Sequence, residues 1–392
     1  MGNTLSESRG GRIDSLQAVR ALAFLGIFVS HSELSSQLGA WGVSVFFVLS
    51  GFLMVFTYAG KELATSPRDA FRFSVGKIKK LYLLHIVMMA VAIPWEIKKS
   101  GLETSARAVG LWLIKIISSV SLLQSWVPTW TVFGSFNGVA WFLSAMFFIY
   151  FVFPFILKRI RSYTNVVNAV KAMLVTYGLM IAFTFATRNV VIISTYPDNC
   201  YWTAYTFPVL RIGDFILGCN LGWLYLNRYD RNKTKSISAT IAEILIFVLI
   251  GISAYIYSSQ KILIGQNWFK YTNLWIPTSI LLVWLFAVNK GKVSRVMTNN
   301  ITIWIGNISP ITFLIHGMVI IYVRIIFSHT VEKELMAMLS EMLSSPPTGA
   351  LVNYMYKIAR CIVAFAITII ASLLWRDAIE PKIKRCFKVR IG

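Results

Sequence analysis

The amino-acid sequence predicts an all-α polytopic membrane protein with about ten transmembrane helices. Hydrophobic residues make up 56% of the 392-residue chain and charged residues only 14%, whereas soluble domains carry about a quarter charged residues. Apolar runs long enough for a helix to cross a hydrocarbon layer of about 30 Å recur from end to end. A single membrane domain, 1–392, accounts for the whole chain.

The apolar runs between charged clusters predict where the chain crosses the membrane. We place ten spans near 16–35, 39–58, 78–95, 138–157, 172–194, 203–226, 238–257, 272–289, 301–327 and 352–375. An eleventh run, 108–126, contains Lys115. We predict that this run forms a re-entrant or external helix.

The formal net charge of +22 is explained by the loops. With a cytoplasmic N-terminus, the predicted inside segments hold 25 Lys and Arg residues and the outside segments hold 6. Cytoplasmic loops of membrane proteins carry such an excess, so the bias predicts an inner-membrane protein, surrounded by lipid, with both termini in the cytoplasm. A crossing at 108–126 would move the later basic segments to the wrong side. The positive charge therefore requires no nucleic-acid partner.

The cysteines give no sign of a metal site or a disulfide framework. None of them belongs to a CxxC pair, and only one falls in a predicted external loop. The four are Cys200, Cys219, Cys361 and Cys386. We interpret them as packing residues and predict no metal.

The first span carries two ionisable residues, Arg20 and His31. Such groups cost at least about 2.5 kcal/mol at the centre of a membrane helix, so each needs a partner or a purpose. Eleven residues are about three helical turns, which puts both on one face, roughly 16 Å apart. Arg20 would lie at the cytoplasmic end, where it can grip phosphate, and His31 in the outer half, where it can act as a base. Spacing alone also allows a snorkelling arginine and a packing histidine.

Three lysines stand where the third span enters the membrane. The loop after the second span ends in Lys77, Lys79 and Lys80, which fits either an ordinary positive-inside flank or a seat for phosphate groups. Small residues of the second span, Gly42 and Gly51 among them, favour close helix contact.

Other polar residues inside or beside the spans leave two interpretations open. Arg211 and Asp214 are three apart and can pair on one helix face, either structurally or as part of a substrate site. His316 either lines the same cavity as His31 or makes an interhelical hydrogen bond. Trp141 and Ser144 face an external approach, where an aromatic ring can stack on a sugar or anchor the interface.

Several of these residues recur in a family pattern. The motifs are Arg20 with His31 after ten intervening residues, Phe46-Phe47 with Ser50-Gly51-Phe52, Lys77 with Lys80, Asn137-Gly138-Val139-Ala140-Trp141-Phe142-Leu143-Ser144, Gly306-Asn307-Ile308-Ser309 and Leu314-Ile315-His316. In this order they resemble the membrane acyltransferase-3 family, which includes O-acetyltransferases of bacterial surface polysaccharides. The likeness covers essentially the whole chain.

The resemblance implies a function and roles for individual residues. It implies an O-acyltransferase, most simply an O-acetyltransferase, that uses acetyl-CoA and acts on a cell-surface or lipid-linked glycan. His31 would be the catalytic base, Arg20 a catalytic and coenzyme A ligand, and Lys77 with Lys80 the counterpart of a basic pair usually written with arginine. Substrate contacts would come from Trp141, Ser144, His316, Arg211 and Asp214.

Besides the lysines in place of an arginine pair, two positions depart from the family pattern. Phe142 stands where the first serine is common, and Met146 where a glutamate is common. That motif therefore supplies no carboxylate partner for His31. Two other classes also stay open: a secondary transporter or glycan-lipid flippase, with Arg211, Asp214 and Glu243 as coupling groups, and a scaffold or sensor without turnover.

Overall fold

The chain is all-helical in the part that the computed structural model describes, namely residues 12–101, 105–188, 201–229, 235–259, 267–327, 334 and 349–391. No strand occurs in these ranges. The helices are α1 Ser15–His31, α2 Leu38–Tyr58, α3 Pro67–Val91, α4 Ile93–Ser100, α5 Ala106–Val120, α6 Trp130–Phe133, α7 Trp141–Arg161, α8 Val166–Thr187, α9 Pro208–Arg228, α10 Ser236–Ser258, α11 Asn267–Lys270, α12 Ile276–Val288, α13 Lys292–Met297, α14 Asn300–Ile326, α15 Gly349–Leu374 and α16 Glu380–Ile391.

The polytopic membrane fold is confirmed, whereas the count of ten spans is not. Among the described residues, seven helical stretches are long and apolar enough to cross a membrane, and they contain α2, α7, α8, α9, α10, α14 and α15. The pair α3 and α4, bent by 47°, would be an eighth. The predicted spans near 16–35 and 272–289 correspond to shorter apolar helices, Ser15–His31 and Asn273–Val288. At 1.5 Å per residue α1 reaches only about 25 Å, less than the hydrocarbon layer.

The run 108–126 forms α5 and a short 3₁₀ turn, Gln124–Trp126, and it is not among the candidate spans. Ser105 caps the start of α5 by accepting the backbone N–H of Ala108. Apolar side chains such as Leu113 and Ile117 are exposed, while Lys115 points into the protein and is 1% exposed. Lys115, the charged residue that argues against a membrane crossing by this run, therefore anchors α5 in the interior of the protein.

The centre of the protein is formed by α1, α2, α9 and α14, with α2 packed against α9 and α1 against both α2 and α14. Glycines allow the close approach. A Cβ atom added to Gly51 would lie 2.0 Å from the carbonyl oxygen of Phe215, and one added to Gly306 would lie 2.1 Å from that of Gln17. By contrast, α8 and α10 have many exposed apolar side chains, as expected of helices that face lipid.

Candidate active site

Two cavities lie along α1, one lined by His31 and the other by Arg20. The cavity beside His31, which we name the outer cavity, has a volume of about 480 Å³. The cavity beside Arg20, named the inner cavity, has a volume of about 170 Å³. Arg20 and His31, both on α1, therefore border different cavities. The shared helix face stays a prediction from their spacing.

His31 is paired with His316 of α14. The Nδ1 atom of His31 lies 2.8 Å from Nε2 of His316, and the planes of the two rings are nearly parallel, with an angle of 5° and centroids 5.0 Å apart. His316 is fully buried, and its own Nδ1 lies 2.6 Å from the carbonyl oxygen of Phe313. The sequence left open whether His316 lines the cavity of His31 or makes an interhelical hydrogen bond. The structure shows the hydrogen bond, and its partner is His31.

This chain of contacts fixes the tautomers of the neutral pair. A carbonyl oxygen only accepts, so His316 must donate from Nδ1 and its Nε2 then carries a lone pair. His31 must in turn donate from Nδ1 to that lone pair, which leaves Nε2 of His31 unprotonated. The partner that the sequence motif lacks is therefore a second histidine instead of a carboxylate.

The inner cavity contains two of the three cations that the sequence analysis assigned to coenzyme A. It is lined by Arg20 and Lys77, together with Ser50 and Tyr150. In the described part of the chain no carboxylate forms an ion pair with Arg20, whose guanidinium donates a hydrogen bond to the side chain of Gln17 at 3.4 Å. Lys77 lies over the ring of Tyr58, 4.4 Å from its centroid.

Lys80 is exposed and does not line the inner cavity. It lies one turn along α3 from Lys77. The structure therefore separates the predicted basic pair into one lysine inside the cavity and one outside it.

Three phenylalanine rings close the inner cavity toward His31. Phe313 lines both cavities, whereas Phe46 and Phe142 line only the inner one. Their ring centroids are 5.1 to 6.2 Å apart in all three pairs. Phe142, one of the departures from the family pattern, thus contributes to a barrier between the two cavities.

A proline in α14 also borders the inner cavity. Pro310 has no N–H to offer the carbonyl group of Gly306 one turn earlier. The hydroxyl of Ser309 donates to that carbonyl at 2.8 Å. This bond replaces the missing helical one and gives a local reason for the Gly306 to Ser309 motif.

Arg211 and Asp214 lie behind the wall of the outer cavity and do not line it. They pair at 3.3 Å, both fully buried, and Asp214 also accepts the hydroxyl of Ser44 at 2.6 Å. The guanidinium of Arg211 lies over the ring of Tyr205, 4.9 Å from its centroid, and Trp141 stands beside it. Their observed contacts are thus with each other, with Ser44 and with aromatic rings that line the cavity. Their contact with substrate stays a prediction.

Ser144 and Trp141, three residues apart on α7, have different positions. Trp141 lines the outer cavity. Ser144 is fully buried, donates to the carbonyl of Leu122 at 2.6 Å and contacts the hydroxyl of Ser125 at 2.7 Å. Ser144 lines neither cavity, and its hydrogen bonds join α7 to the segment that follows α5.

The sequence analysis missed several residues of the outer cavity. Lys99, Arg324 and Tyr205 line it. One signal for Lys99 was present, since it is among the few cations in a predicted external segment. Arg324 also carried a signal, because it is an ionisable residue inside the predicted span 301–327. Its place in the same cavity as His31 depends on the packing of α14 on α1 and could not be read from spacing.

Metal coordination has no candidate among the described residues, where no group of three His, Cys, Asp or Glu side chains is close enough to hold an ion.

Comparison with known proteins identifies the class of enzyme. The model of an acyltransferase domain (Acyl_transf_3) matches residues 13–376. The chain is therefore a membrane acyltransferase-domain protein. It belongs to the acyltransferase-3 family, and the resemblance drawn from the sequence motifs is confirmed.

Two relatives share about a quarter of their residues or fewer with the chain over the aligned segments. The chain is 26% identical over 231 residues to acyltransferase MdmB from Streptomyces mycarofaciens, covering 53% of this chain and 56% of that protein. It is 22% identical over 329 residues to O-acetyltransferase OatA from Staphylococcus aureus, covering 80% of this chain and 51% of that protein. The chain thus spans about half the length of each relative it matches. No solved structure matches it.

Proposed function

We propose that this protein is an O-acetyltransferase that moves an acetyl group from cytoplasmic acetyl-CoA to a hydroxyl of a cell-surface or lipid-linked glycan. The single observation that carries the proposal is the hydrogen-bonded pair of His31 and His316, which leaves a basic nitrogen beside a large cavity. The relatives named acyltransferase and O-acetyltransferase support the reaction class.

The donor would bind from the inner cavity. Arg20 and Lys77 line this cavity, and both side chains suit phosphate groups, Arg20 by a forked contact and Lys77 as a point charge. The inner cavity is small, so it would hold the narrow acyl-pantetheine arm while the nucleotide stays at its mouth near Lys80. The rings of Phe46, Phe142 and Phe313 would part to let the thioester reach His31.

The acceptor would bind in the outer cavity, where Nε2 of His31 takes the proton from its hydroxyl. The hydroxyl oxygen attacks the thioester carbonyl, the carbon–sulfur bond breaks, and the coenzyme A thiolate leaves with the proton that His31 held. The imidazolium formed in between stays bonded through Nδ1–H to the lone pair of His316, which keeps the ring in place. The closed phenylalanine barrier would limit hydrolysis of the thioester by water.

Loss of the lysines near the inner cavity is expected to weaken acetyl-CoA binding. Lys77→Ala should lower the affinity about 10- to 150-fold, because a hydrogen bond to a charged group contributes about 1.5–3 kcal/mol. Lys80→Ala should have a smaller effect, and the double variant the largest. Calorimetric titration of acetyl-CoA into the purified protein measures the affinity. Lys79→Ala is the matched control, since Lys79 is exposed between them and lines neither cavity.

The transporter alternative is weakened by the position of its coupling groups. Arg211 and Asp214 pair with each other. Glu243 accepts the backbone N–H groups of Val293 and Ser294 at 2.9 and 3.1 Å, at the start of α13. None of the three carboxylate or guanidinium groups lines either cavity.

The proposed direction of transfer requires both termini and the Arg20 end of α1 to face the cytoplasm of the inner membrane. The split of 25 against 6 basic residues motivates this orientation. A single cysteine placed in the 59–66 segment should react with a membrane-impermeant maleimide only from the cytoplasmic face. One placed in the 32–37 segment should react only from the outer face. Labelling of the 32–37 segment from the cytoplasm would contradict the orientation.

A further inference from the structure

The outer cavity has two positively charged side chains that the acetyl transfer itself does not use. Lys99 of α4 and Arg324 of α14 both line it. Among its described lining residues there is neither an aspartate nor a glutamate. Each cation belongs to a group in which two cations share a single carboxylate.

The first group is centred on Glu96, which is fully buried. Lys115 lies 2.7 Å from one carboxylate oxygen and Lys99 lies 3.0 Å from the other. Lys115 is 1% exposed, and a buried ammonium group needs a counter-charge of its own. Glu96 therefore neutralises Lys115, and the charge of Lys99 is left in excess at the cavity.

The second group is centred on Glu33, in the link between α1 and α2. Arg360 lies 2.6 Å from one carboxylate oxygen and Arg324 lies 3.0 Å from the other. Burial raises the pKa of Glu33, but the guanidinium groups of Arg360 and Arg324 outweigh it and hold that pKa below its ordinary value. Glu33 is thus ionised at neutral pH. Arg360 is the more buried of the two arginines, so Arg324 is again the cation in excess.

Both cations keep donors for a ligand. The ammonium group of Lys99 has three N–H bonds, of which Glu96 takes one and the carbonyl of Gly134 takes another at 3.2 Å. Arg324 has five N–H bonds and contacts Glu33 through one nitrogen. Aromatic side chains complete the wall, and residues of this type can stack on a sugar ring; they are Trp95, Trp130, Trp141, Tyr201 and Tyr205.

Building on the proposed function, we propose that Lys99 and Arg324 form an anion subsite in the outer cavity, and that the acceptor is a saccharide that carries an oxyanion. The oxyanion is either the carboxylate of an acidic sugar or the phosphate of a lipid-linked one. Bound to these cations, the saccharide presents a hydroxyl to Nε2 of His31. The excess charge of the two groups selects such a sugar over a neutral one.

Two anionic sugars, each compared with the same neutral glucoside, test the subsite. Binding of methyl β-glucuronide, methyl β-glucoside and glucose 1-phosphate to the purified full-length protein is measured by calorimetry. At least one anionic sugar should bind about tenfold or more tightly than the neutral glucoside, as expected for charge-assisted hydrogen bonds. Preference for the glucuronide points to an acidic sugar, and preference for the phosphate to a lipid-linked one. Equal binding of all three, or binding of no anionic sugar, overturns the proposal.

Variants connect the preference to the two residues. Lys99→Gln and Arg324→Gln each leave a neutral ion pair behind, Glu96 with Lys115 and Glu33 with Arg360, so the protein should fold. Either change should remove most of the preference, whereas Lys98→Gln, on the same helix but not lining the cavity, should retain it. An unchanged preference in both cavity variants also overturns the subsite. Acetyl-CoA titrated into the same samples tests the proposed function separately.

Discussion

Replacement of His31 by alanine is expected to lower the rate of acetyl transfer by about 10²–10⁴-fold, the usual contribution of a positioned general base. Expression, melting temperature and acetyl-CoA affinity should stay close to those of the wild type. The reason is that His31 lines the outer cavity, while Arg20 and Lys77 line the inner one. Transfer of radiolabelled acetyl groups to glycan measures the rate.

His85 provides the matched control for this prediction. It is a buried histidine of α3, lies 3.0 Å from the carbonyl oxygen of Ser119, and lines neither cavity. His85→Gln should affect activity only through stability. Comparable losses in the two variants at equal folded fraction would assign His31 a packing role.

A second variant, His31→Gln, separates a base from a simple hydrogen-bond donor. A base works only when unprotonated, so the wild-type rate should fall as the pH is lowered through the pKa of His31. A glutamine side chain can donate a hydrogen bond to the thioester carbonyl, but it does not gain or lose a proton as the pH is lowered. An active His31→Gln enzyme with a flat pH profile would rule out the general base and leave the acyltransferase assignment intact.

The largest effect on stability is expected from Glu96→Gln, about 3–5 kcal/mol of destabilisation. Glu96 is the partner of Lys115 and Lys99 and also accepts the N–H of Phe136 at 2.9 Å. The amide leaves buried Lys115 without a counter-charge, and breaking a buried pair on one side carries a penalty of this size. Phe136 has a positive φ of 51°, which a bulky side chain rarely adopts, so the loop that lines the cavity should loosen as well.

Thermal unfolding of the purified protein measures this effect. The double change Glu96→Gln with Lys115→Met removes the unpaired charge, so it should recover part of the lost stability. Glu62→Gln, at an exposed loop position, is the matched control and should leave the melting temperature unchanged. A Glu96→Gln protein as stable as the control would contradict the role of Glu96.

The sequence predicts those parts of the site that depend on local spacing. Arg20 and His31 lie on one helix, so a period of 3.6 residues is enough to place them. The helical membrane fold and the non-crossing α5 follow from hydropathy and from the charge bias of the loops. The number of membrane spans could not be predicted from hydropathy, because α1 is shorter than the apolar run that contains it. The helix ends at His31, and the chain turns at Glu33, which has a positive φ of 63°.

Contacts between segments that are far apart in the chain could not be predicted from the sequence. His31 and His316 are 285 residues apart, and Glu33 and Arg360 are 327 apart. Their meeting depends on which helices pack together, and no spacing rule gives that. The same limitation applies to Arg211 and Asp214: their mutual pairing follows from the sequence, but their position beside the rings of Trp141 and Tyr205 does not.

The mass of the surface glycan tests the central claim most directly. Polysaccharide is compared from cells that carry the wild-type protein, the His31→Ala variant or no copy of the gene, with expression of the two proteins matched. Wild-type cells should yield repeating units heavier by the mass of an acetyl group, and His31→Ala cells should match those without the gene. Acetylated glycan at the wild-type level in the His31→Ala cells would contradict the account.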